Sequence, residues 1–366
     1  METELQDLPA VDLPSADLPQ AVLEIAPNFT IPDPMSAPAL KWGIIGTGGI
    51  AAAFAEQVPA YSTGNIVAVG SRNLTSARAF AQRFSIDQAF GSYQELVACP
   101  DVEAVYVATP HVFHHEHALL AVRAGKPVLV EKPFTLNRRE AEEVFMEARV
   151  HGVFAMEAMW MRFLPHQLVL RETLRQGVLG DIVHIQADHG QLLDGIARLE
   201  DPHLGGGALL DLGVYPLSFI QSLLGEPGMV DAVGMVNPNG VDDSDAVTLT
   251  YPGALAVATC SMRARSATAA SVHCRRGRIE LRDDFYRPSR INVVYEADFA
   301  GDTTPAQSWS WDGHVPGGLQ YEAAEVARCV NAGLSQSDVM PWDDTLGVME
   351  IMDTVRSQLG LRYPGE

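Results

Sequence analysis

Lys41-Trp42-Gly43-Ile44-Ile45-Gly46-Thr47-Gly48-Gly49-Ile50-Ala51 decides the fold. Its first residues form a continuous short apolar run, the mark of a strand buried on both faces. Glycines follow at once as G-x-G-x-x-A, and a helical pattern runs on to about Tyr61. Gly46 allows the tight turn, Gly48 lets a backbone approach a pyrophosphate, and Ala51 permits close helix–strand packing. Phosphates then sit on the helix N-terminus, where free N–H groups and the dipole favour anions. Thr47, Gly49 and Ile50 complete the loop that would face such a ligand.

The texture holds beyond this turn. Ile66–Gly70, Ala104–Ala108, Pro127–Val130 and Val153–Glu157 read as further buried strands, separated by helical patterns over Thr75–Phe84 and about Phe113–Ala124. A helix starts at Asn137, with Glu140 placed as in a capping box and Ala141, Val144, Phe145 and Ala148 on one face. Strands alternating with helices predict a doubly wound parallel sheet of the Rossmann type over residues 40–160. From residue 161 to 366 the pattern changes. Ile182–Asp188, Ala246–Tyr251, Ala254–Met262 and Ile291–Tyr295 alternate, and Arg275-Arg276-Gly277-Arg278 reads as a solvated turn between strands. Helical patterns over about Gly318–Asn331 and Trp342–Gln358 end the chain and are free to pack back on the first domain. This part is expected to be an α+β domain with a mostly antiparallel open sheet.

Residues 1–39 stand apart, with seven of the 23 prolines and an Asp-Leu-Pro echo at Asp7, Asp12 and Asp17. Proline at this density predicts an extended or disordered segment, either an arm for a neighbouring subunit or a passive tail. Met35 is a candidate native start. The chain carries 25 Lys and Arg against 46 Asp and Glu, a formal charge of −21. That argues against nucleic acid or an anionic membrane surface as partner. No run of 18 apolar residues suggests a membrane span. The four cysteines are far apart and read as buried small hydrophobes. No Lys or Arg precedes Lys41, so a secretory n-region is lacking and the expected compartment is the cytoplasm.

The end of the second strand bears on the cofactor. An NAD-binding unit would place Asp or Glu there to hold the ribose hydroxyl. This chain reads Val69-Gly70-Ser71-Arg72-Asn73. Ser71 can donate to a 2′-phosphate and Arg72 can pair with it, which favours NADP over NAD. An ordinary exposed arginine is the alternative.

Val128-Leu129-Val130-Glu131-Lys132-Pro133 ends a strand at the ligand side of the sheet, so Lys132 would project toward a nicotinamide. Downstream, Gly205–Pro216 carries Asp211 and Tyr215 at helical spacing on one face. The glycine turn, Ala108-Thr109-Pro110-His111 with His114, Ala124-Gly125-Lys126-Pro127 and Glu131-Lys132-Pro133 together resemble the Gfo/Idh/MocA oxidoreductase family. The stretch Met156-Glu157-Ala158-Met159-Trp160-Met161-Arg162-Phe163 is similar to the branch of dimeric dihydrodiol dehydrogenases, NADP-dependent aldose dehydrogenases and glucose–fructose oxidoreductase. The resemblance spans roughly residues 40–360. It implies a catalytic set of Lys132, Tyr215 and Asp211, with the lysine lowering the tyrosine pKa so that it can act as a base. It places Thr109, Pro110, His114, Glu131, Trp160 and Arg162 at the cofactor, and His111, Trp160, Arg162 and His189 at the substrate. The implied activity is NADP-dependent hydride transfer with a carbohydrate-like small molecule: a sugar, cyclic polyol or dihydrodiol. A tightly bound, recycled cofactor, redox-assisted glycoside cleavage and a nucleotide-sensing regulator are the alternatives. A homodimer or homotetramer through the second sheet is implied as well.

His111, His114, His115 and His117 suggest a metal site, but the H-E-x-x-H spacing is absent and no cysteine or acidic cluster accompanies them. No metal is expected, and His115 and His117 are expected at the surface. His314 is a weaker candidate for the substrate side.

Overall fold

The computed structural model describes residues 29–296 and 306–365; the tail expectation falls mostly on residues 1–28, outside the described residues. Where residues 29–39 are described, they pack on the body. Pro34–Ser36 makes a 3-10 turn capped by the Asp33 carboxylate, which accepts the Met35 N–H at 2.9 Å. Pro34 and Ala37 are buried. Proline suits the first turn of a helix, so its abundance did not preclude order here.

The first sheet follows from the apolar runs. In chain order it is built from β1 (Lys41–Ile45), α1 (Gly49–Tyr61), β2 (Asn65–Gly70), α2 (Leu74–Phe84), β3 (Gln88–Phe90), α3 (Tyr93–Ala98) and β4 (Ala104–Val107). Then come α4 (His114–Arg123), β5 (Val128–Glu131), α5 (Arg138–His151) and β6 (Ala155–Ala158). The strand order is β3-β2-β1-β4-β5-β6, with every neighbouring pair parallel. This is the doubly wound order, and the switch point between β1 and β4 lies beside the glycine turn. Trp42, Phe54 and Tyr106 lock α1 onto β1 and β4; Phe54 stacks on Tyr106 at 3.9 Å and meets Trp42 edge-on at 5.3 Å. The α5 start is as expected: Asn137 accepts the Glu140 N–H at 3.1 Å.

The second sheet has eight strands in the order β14-β13-β12-β11-β7-β10-β9-β8. They are β7 (Ile182–Gly190), β8 (Met229–Val236), β9 (Asp242–Tyr251), β10 (Ala254–Ser261), β11 (Ala270–Cys274), β12 (Gly277–Leu281), β13 (Arg290–Tyr295) and β14 (Gln307–Asp312). It is mostly antiparallel, yet β7 and β10 run parallel. Alternation in sequence reports which face is buried and is silent on direction. The β11–β12 turn falls at Arg275-Arg276, as the sequence suggests.

Helix α6 (Pro165–Arg175) precedes this sheet, and α7 (Val214–Leu224) packs on its inner face against β7 and β10. The stretch Pro202–Leu224 is long and apolar enough to cross a membrane by composition, but 83% of its apolar window is buried within the protein, as in a core helix. The last helices, α8 (Leu319–Asn331) and α9 (Trp342–Leu359), return to α1 and α5 respectively. All four cysteines are buried and free.

Three glutamates from β5, β6 and α8 are buried near one another, so that Glu131 raises Glu157 and both raise Glu322. Glu131 and Glu157 are each pushed up to about 7, chiefly by burial. Glu322 is raised well above the carboxylate range by burial and then by Glu131 and Glu157, and neither of its oxygens has a hydrogen-bond partner among the described residues. A carboxyl raised in the folded state stabilises it below the unfolded pKa of about 4.3 and loses that contribution as pH rises above it. Glu322→Gln removes this loss. Its stability relative to the native chain should therefore climb as pH rises from about 5 toward neutrality, with a limiting slope of roughly 1.4 kcal/mol per pH unit. Urea unfolding across that range reads the slope, and parallel profiles would refute it.

Candidate active site

Three pieces of chain converge where the two sheets face each other. The β1–α1 turn supplies Gly48, Gly49 and Ile50; the ends of β4, β5 and β6 supply Thr109, Pro110, His111, His114, Glu131, Lys132 and Trp160; and the second sheet with α7 supplies His189, Asp211 and Tyr215. They line one cavity of about 850 Å³. Of the other expected residues, Gly46, Thr47, Ser71, Arg72 and Arg162 are not on its wall.

The turn is built for a dinucleotide. Gly46 has φ +109°, and a Cβ there would lie 2.6 Å from the Ala108 carbonyl oxygen, so only glycine fits. A Cβ on Gly48 or Gly49 would meet nothing within 4 Å. Gly48 is the N-cap of α1 and gives no side-chain hydrogen bond, so the first N–H groups of the helix lack a side-chain cap where Gly48, Gly49 and Ile50 border the cavity. That combination fits a pyrophosphate. At the end of β2, Arg72 is exposed with its guanidinium 5.4 Å from the centre of the Phe113 ring, and no carboxylate occupies the β2 terminus.

Opposite the turn, Asp211 gathers positive charge. Lys132 Nζ donates to its backbone oxygen at 2.7 Å and to Oδ1 at 3.3 Å. Arg198 Nη2 donates to the same Oδ1 at 3.2 Å, and His111 Nε2 stands 3.8 Å away. Burial opposes ionisation of Asp211, but Lys132 and Arg198 outweigh it and hold the carboxyl well below its ordinary range. Asp211 lies in a π-helical turn, Leu209–Gly213, that leads into α7. Such turns collect at functional sites because they re-aim side chains.

Tyr215 follows on α7. Its hydroxyl accepts the Trp160 Nε1–H at 3.2 Å, which leaves the phenolic proton for the cleft. Here the expectation about its acidity needs correction. Burial first, and then Glu131, raise the Tyr215 pKa well above that of a free tyrosine. Lys132 Nζ lies 5.1 Å from the ring centre and is engaged by Asp211, so burial and Glu131 prevail over its pull on the resting phenol. Tyr215 rests as a proton donor.

The histidines are held neutral. His111 donates through Nδ1 to the Gly205 carbonyl at 2.9 Å, and burial pulls its pKa to about 3. His114 lies between the carbonyls of Pro133 and Thr109; these favour the charged ring, but burial prevails and brings it to about 4. His189 Nδ1 faces the Leu212 carbonyl, while Nε2 accepts from Gln191 at 2.9 Å. Its pKa is pulled to about 4, first by burial. His115 pairs with Glu143 at 3.1 Å. His117, expected at the surface, is buried against Tyr93 and Phe113, because α4 turns that face toward α3. Among the described residues no three His, Cys, Asp or Glu side chains converge on a metal position.

Arg162 does not reach cofactor or substrate space. Its fully buried guanidinium donates to Ser218 Oγ at 2.9 Å, to the Ser218 carbonyl at 3.0 Å and to Gln221 Oε1 at 2.7 Å, and it pairs with Asp344. It ties the Trp160–Phe163 turn to α7 and α9 beneath the cleft floor. His314 is exposed on Asp312, off the cleft wall. Sequence reasoning missed Gln191, Arg198 and Tyr286, all on the wall. Tyr286 packs at a tilt against His189, with ring centres 4.3 Å apart, and against Tyr215 at 4.8 Å. Its only signal was an aromatic pair, Phe285-Tyr286, inside a charged loop.

A parallel Rossmann sheet with an anion-ready glycine turn, joined to an open mixed sheet across a cleft, defines a two-domain dinucleotide-dependent enzyme. Residues 40–159 match the model of the oxidoreductase family with an NAD-binding Rossmann fold, and residues 168–280 match the GFO/IDH/MocA C-terminal domain. The trans-1,2-dihydrobenzene-1,2-diol dehydrogenase of Bos taurus is 38% identical over 332 residues, covering 89% of this chain and 98% of that protein. The human enzyme of the same name is 36% identical over the same coverage. Among solved structures, KijD10, a 3-ketoreductase from Actinomadura kijaniata in complex with NADP and TDP-benzene, superposes with a TM-score of 0.75 at 28% identity, covering 88% of this chain and 98% of that one. The aldose-aldose oxidoreductase of Caulobacter crescentus shares the fold, with a TM-score of 0.76 at 23% identity over 87% of this chain and 97% of that one. This chain belongs to the Gfo/Idh/MocA oxidoreductase family. It is an NAD(P)-dependent oxidoreductase of the dihydrodiol dehydrogenase-like kind, acting on a small-molecule substrate.

Proposed function

We propose that the chain is an NADP-dependent dehydrogenase or reductase working on the hydroxyl or carbonyl carbon of a sugar, cyclic polyol or dihydrodiol. The observation that carries this reading is the convergence of Lys132, Asp211 and Tyr215 on one cavity wall, facing the α1 N-terminus. Bound NADP would supply or accept the hydride. Tyr215, holding its proton, donates a hydrogen bond to the substrate oxygen and passes the proton to it as that oxygen gains charge in reduction. The reverse transfer serves oxidation. Lys132 keeps a positive charge beside the ring as phenolate develops, and Asp211 holds that ammonium in place. Neutral His111 and His189 line the cleft without competing for the proton.

Lys132→Ala and Tyr215→Phe should each lower kcat by about 10²-fold or more while the dissociation constant for NADP stays close to native. Near-normal turnover in Tyr215→Phe would remove the tyrosine from proton transfer. The NADP preference rests on Ser71 and Arg72 at the β2 terminus. Arg72→Ala should raise KM for NADP far more than KM for NAD, and equal effects would refute the preference. The exposed apolar side chains of the second sheet, Val233 at 71% and Met235 at 68%, support self-association there, which sedimentation velocity reads directly.

A further inference from the structure

Tyr286 is a partition. One side of its ring closes the catalytic cleft against His189 and Tyr215, and its hydroxyl accepts from Gln191 Nε2 at 3.1 Å and from Arg287 Nε at 3.0 Å. Beyond it lies a second cavity of about 300 Å³, which shares Gln191, Tyr286 and Arg287 with the cleft. That volume is at the small end of ligand sites, adequate for a substituent and too tight for a second drug-sized molecule.

The charge in this side cavity is one-sided. Arg265 and Arg287 face it, against the single acid Asp284. Asp284 stands 3.9 Å from Arg265, at the outer edge of an ion pair. Arg287 forms no ion pair among the described residues; its Nε is fixed on Tyr286, which leaves the two terminal nitrogens of the fork to a ligand. The nearby Asp188 is already occupied by Ser266 and by the backbone N–H groups of Thr268 and Ala269. In a chain of formal charge −21, two arginines with one weakly paired acid make a local positive hollow next to the reacting groups.

We propose that this side cavity is a subsite for an anionic substituent of the substrate, a phosphate or a carboxylate, gripped by Arg287 and Arg265 while the reacting carbon lies at Lys132 and Tyr215. A planar guanidinium fork matches the two oxygens of either group. The proposal rests on the hydride-transfer reading above and narrows its substrate class.

Turnover with NADP of glucose, of its terminal phosphate ester and of glucuronate tests it, read as the ratio of kcat/KM for each anion to that for glucose. The ratio should be about tenfold or more for at least one anion, and Arg287→Ala and Arg265→Ala should each cut it about fivefold or more. Arg287→Lys should restore part of it, and rising salt should lower it. A larger ratio for the ester assigns phosphate, and a larger one for glucuronate assigns carboxylate. A native ratio near one, or a ratio unmoved in both alanine variants, overturns the subsite. If none of the three is turned over, calorimetric titration of the ester and of glucuronate into the protein decides. Binding abolished by Arg287→Ala upholds the subsite, even where the absence of turnover by any alcohol sinks the hydride-transfer reading. No binding, or binding that ignores Arg287, overturns it.

Discussion

The Asp211 carboxylate sets the cleft. Lys132 reaches it from the first sheet with neutral His111 alongside, Arg198 reaches it from the irregular segment after β7, and the aspartate itself rides the π turn that opens α7. Burying a carboxylate is costly, and only multiple close cations make the site net favourable. The lowered pKa of Asp211 is in line with the cations prevailing. Because the cations arrive from both halves of the molecule, the pairing fixes the distance between the glycine turn and the face that carries Tyr215. Removing one partner would leave a buried charge under-compensated, at a cost of up to about 3–5 kcal/mol.

A second constraint lies behind that pair. Glu131, next to Lys132 in sequence, is buried with its carboxyl raised to about 7 and hydrogen-bonded by Tyr106 and the Lys132 N–H. Glu157 and Glu322 stand behind it; Glu131 raises Glu157, and both raise Glu322. A fully ionised trio there would compete with Asp211 for the lysine. Burial first, and then repulsion from Glu131 on the other two, prevents this, so the ammonium faces the cleft carboxylate.

What was legible in the sequence was local. The glycine turn, the buried runs of β1, β4 and β5, the Asn137 cap and the Arg275-Arg276 turn each depend on residues within a few positions, and those readings carried the parallel sheet. The parallel β7–β10 pair was not legible, since strand direction depends on partners far away in sequence. Nor was the tyrosine's acidity. It follows from burial among Glu131, Tyr286 and Asp211, of which only Glu131 and Asp211 had been noticed. Arg198 and Tyr286 come from loops without periodicity, where nothing but the folded chain brings a side chain to the cleft. His117 shows the converse, a polar residue buried because its helix happens to present that face to aromatic neighbours.

Trp160 and Arg162 carry the sharpest lesson in motif reading. They are two positions apart in a 3-10 turn, and at about three residues per turn such neighbours point to different sides. Trp160 turns into the cleft and donates to the Tyr215 hydroxyl, while Arg162 turns beneath it into Ser218, Gln221 and Asp344. Ser218 lies three residues beyond Tyr215, about one helical turn along α7. One residue of the motif therefore orients the hydroxyl and the other anchors the helix that bears it. A fully buried guanidinium held by Ser218, Gln221 and Asp344 suits that second task better than ligand contact, because exchange with solvent or substrate would loosen the helix. The motif acts on the chemistry as a unit, although only one of its two polar side chains touches the cleft.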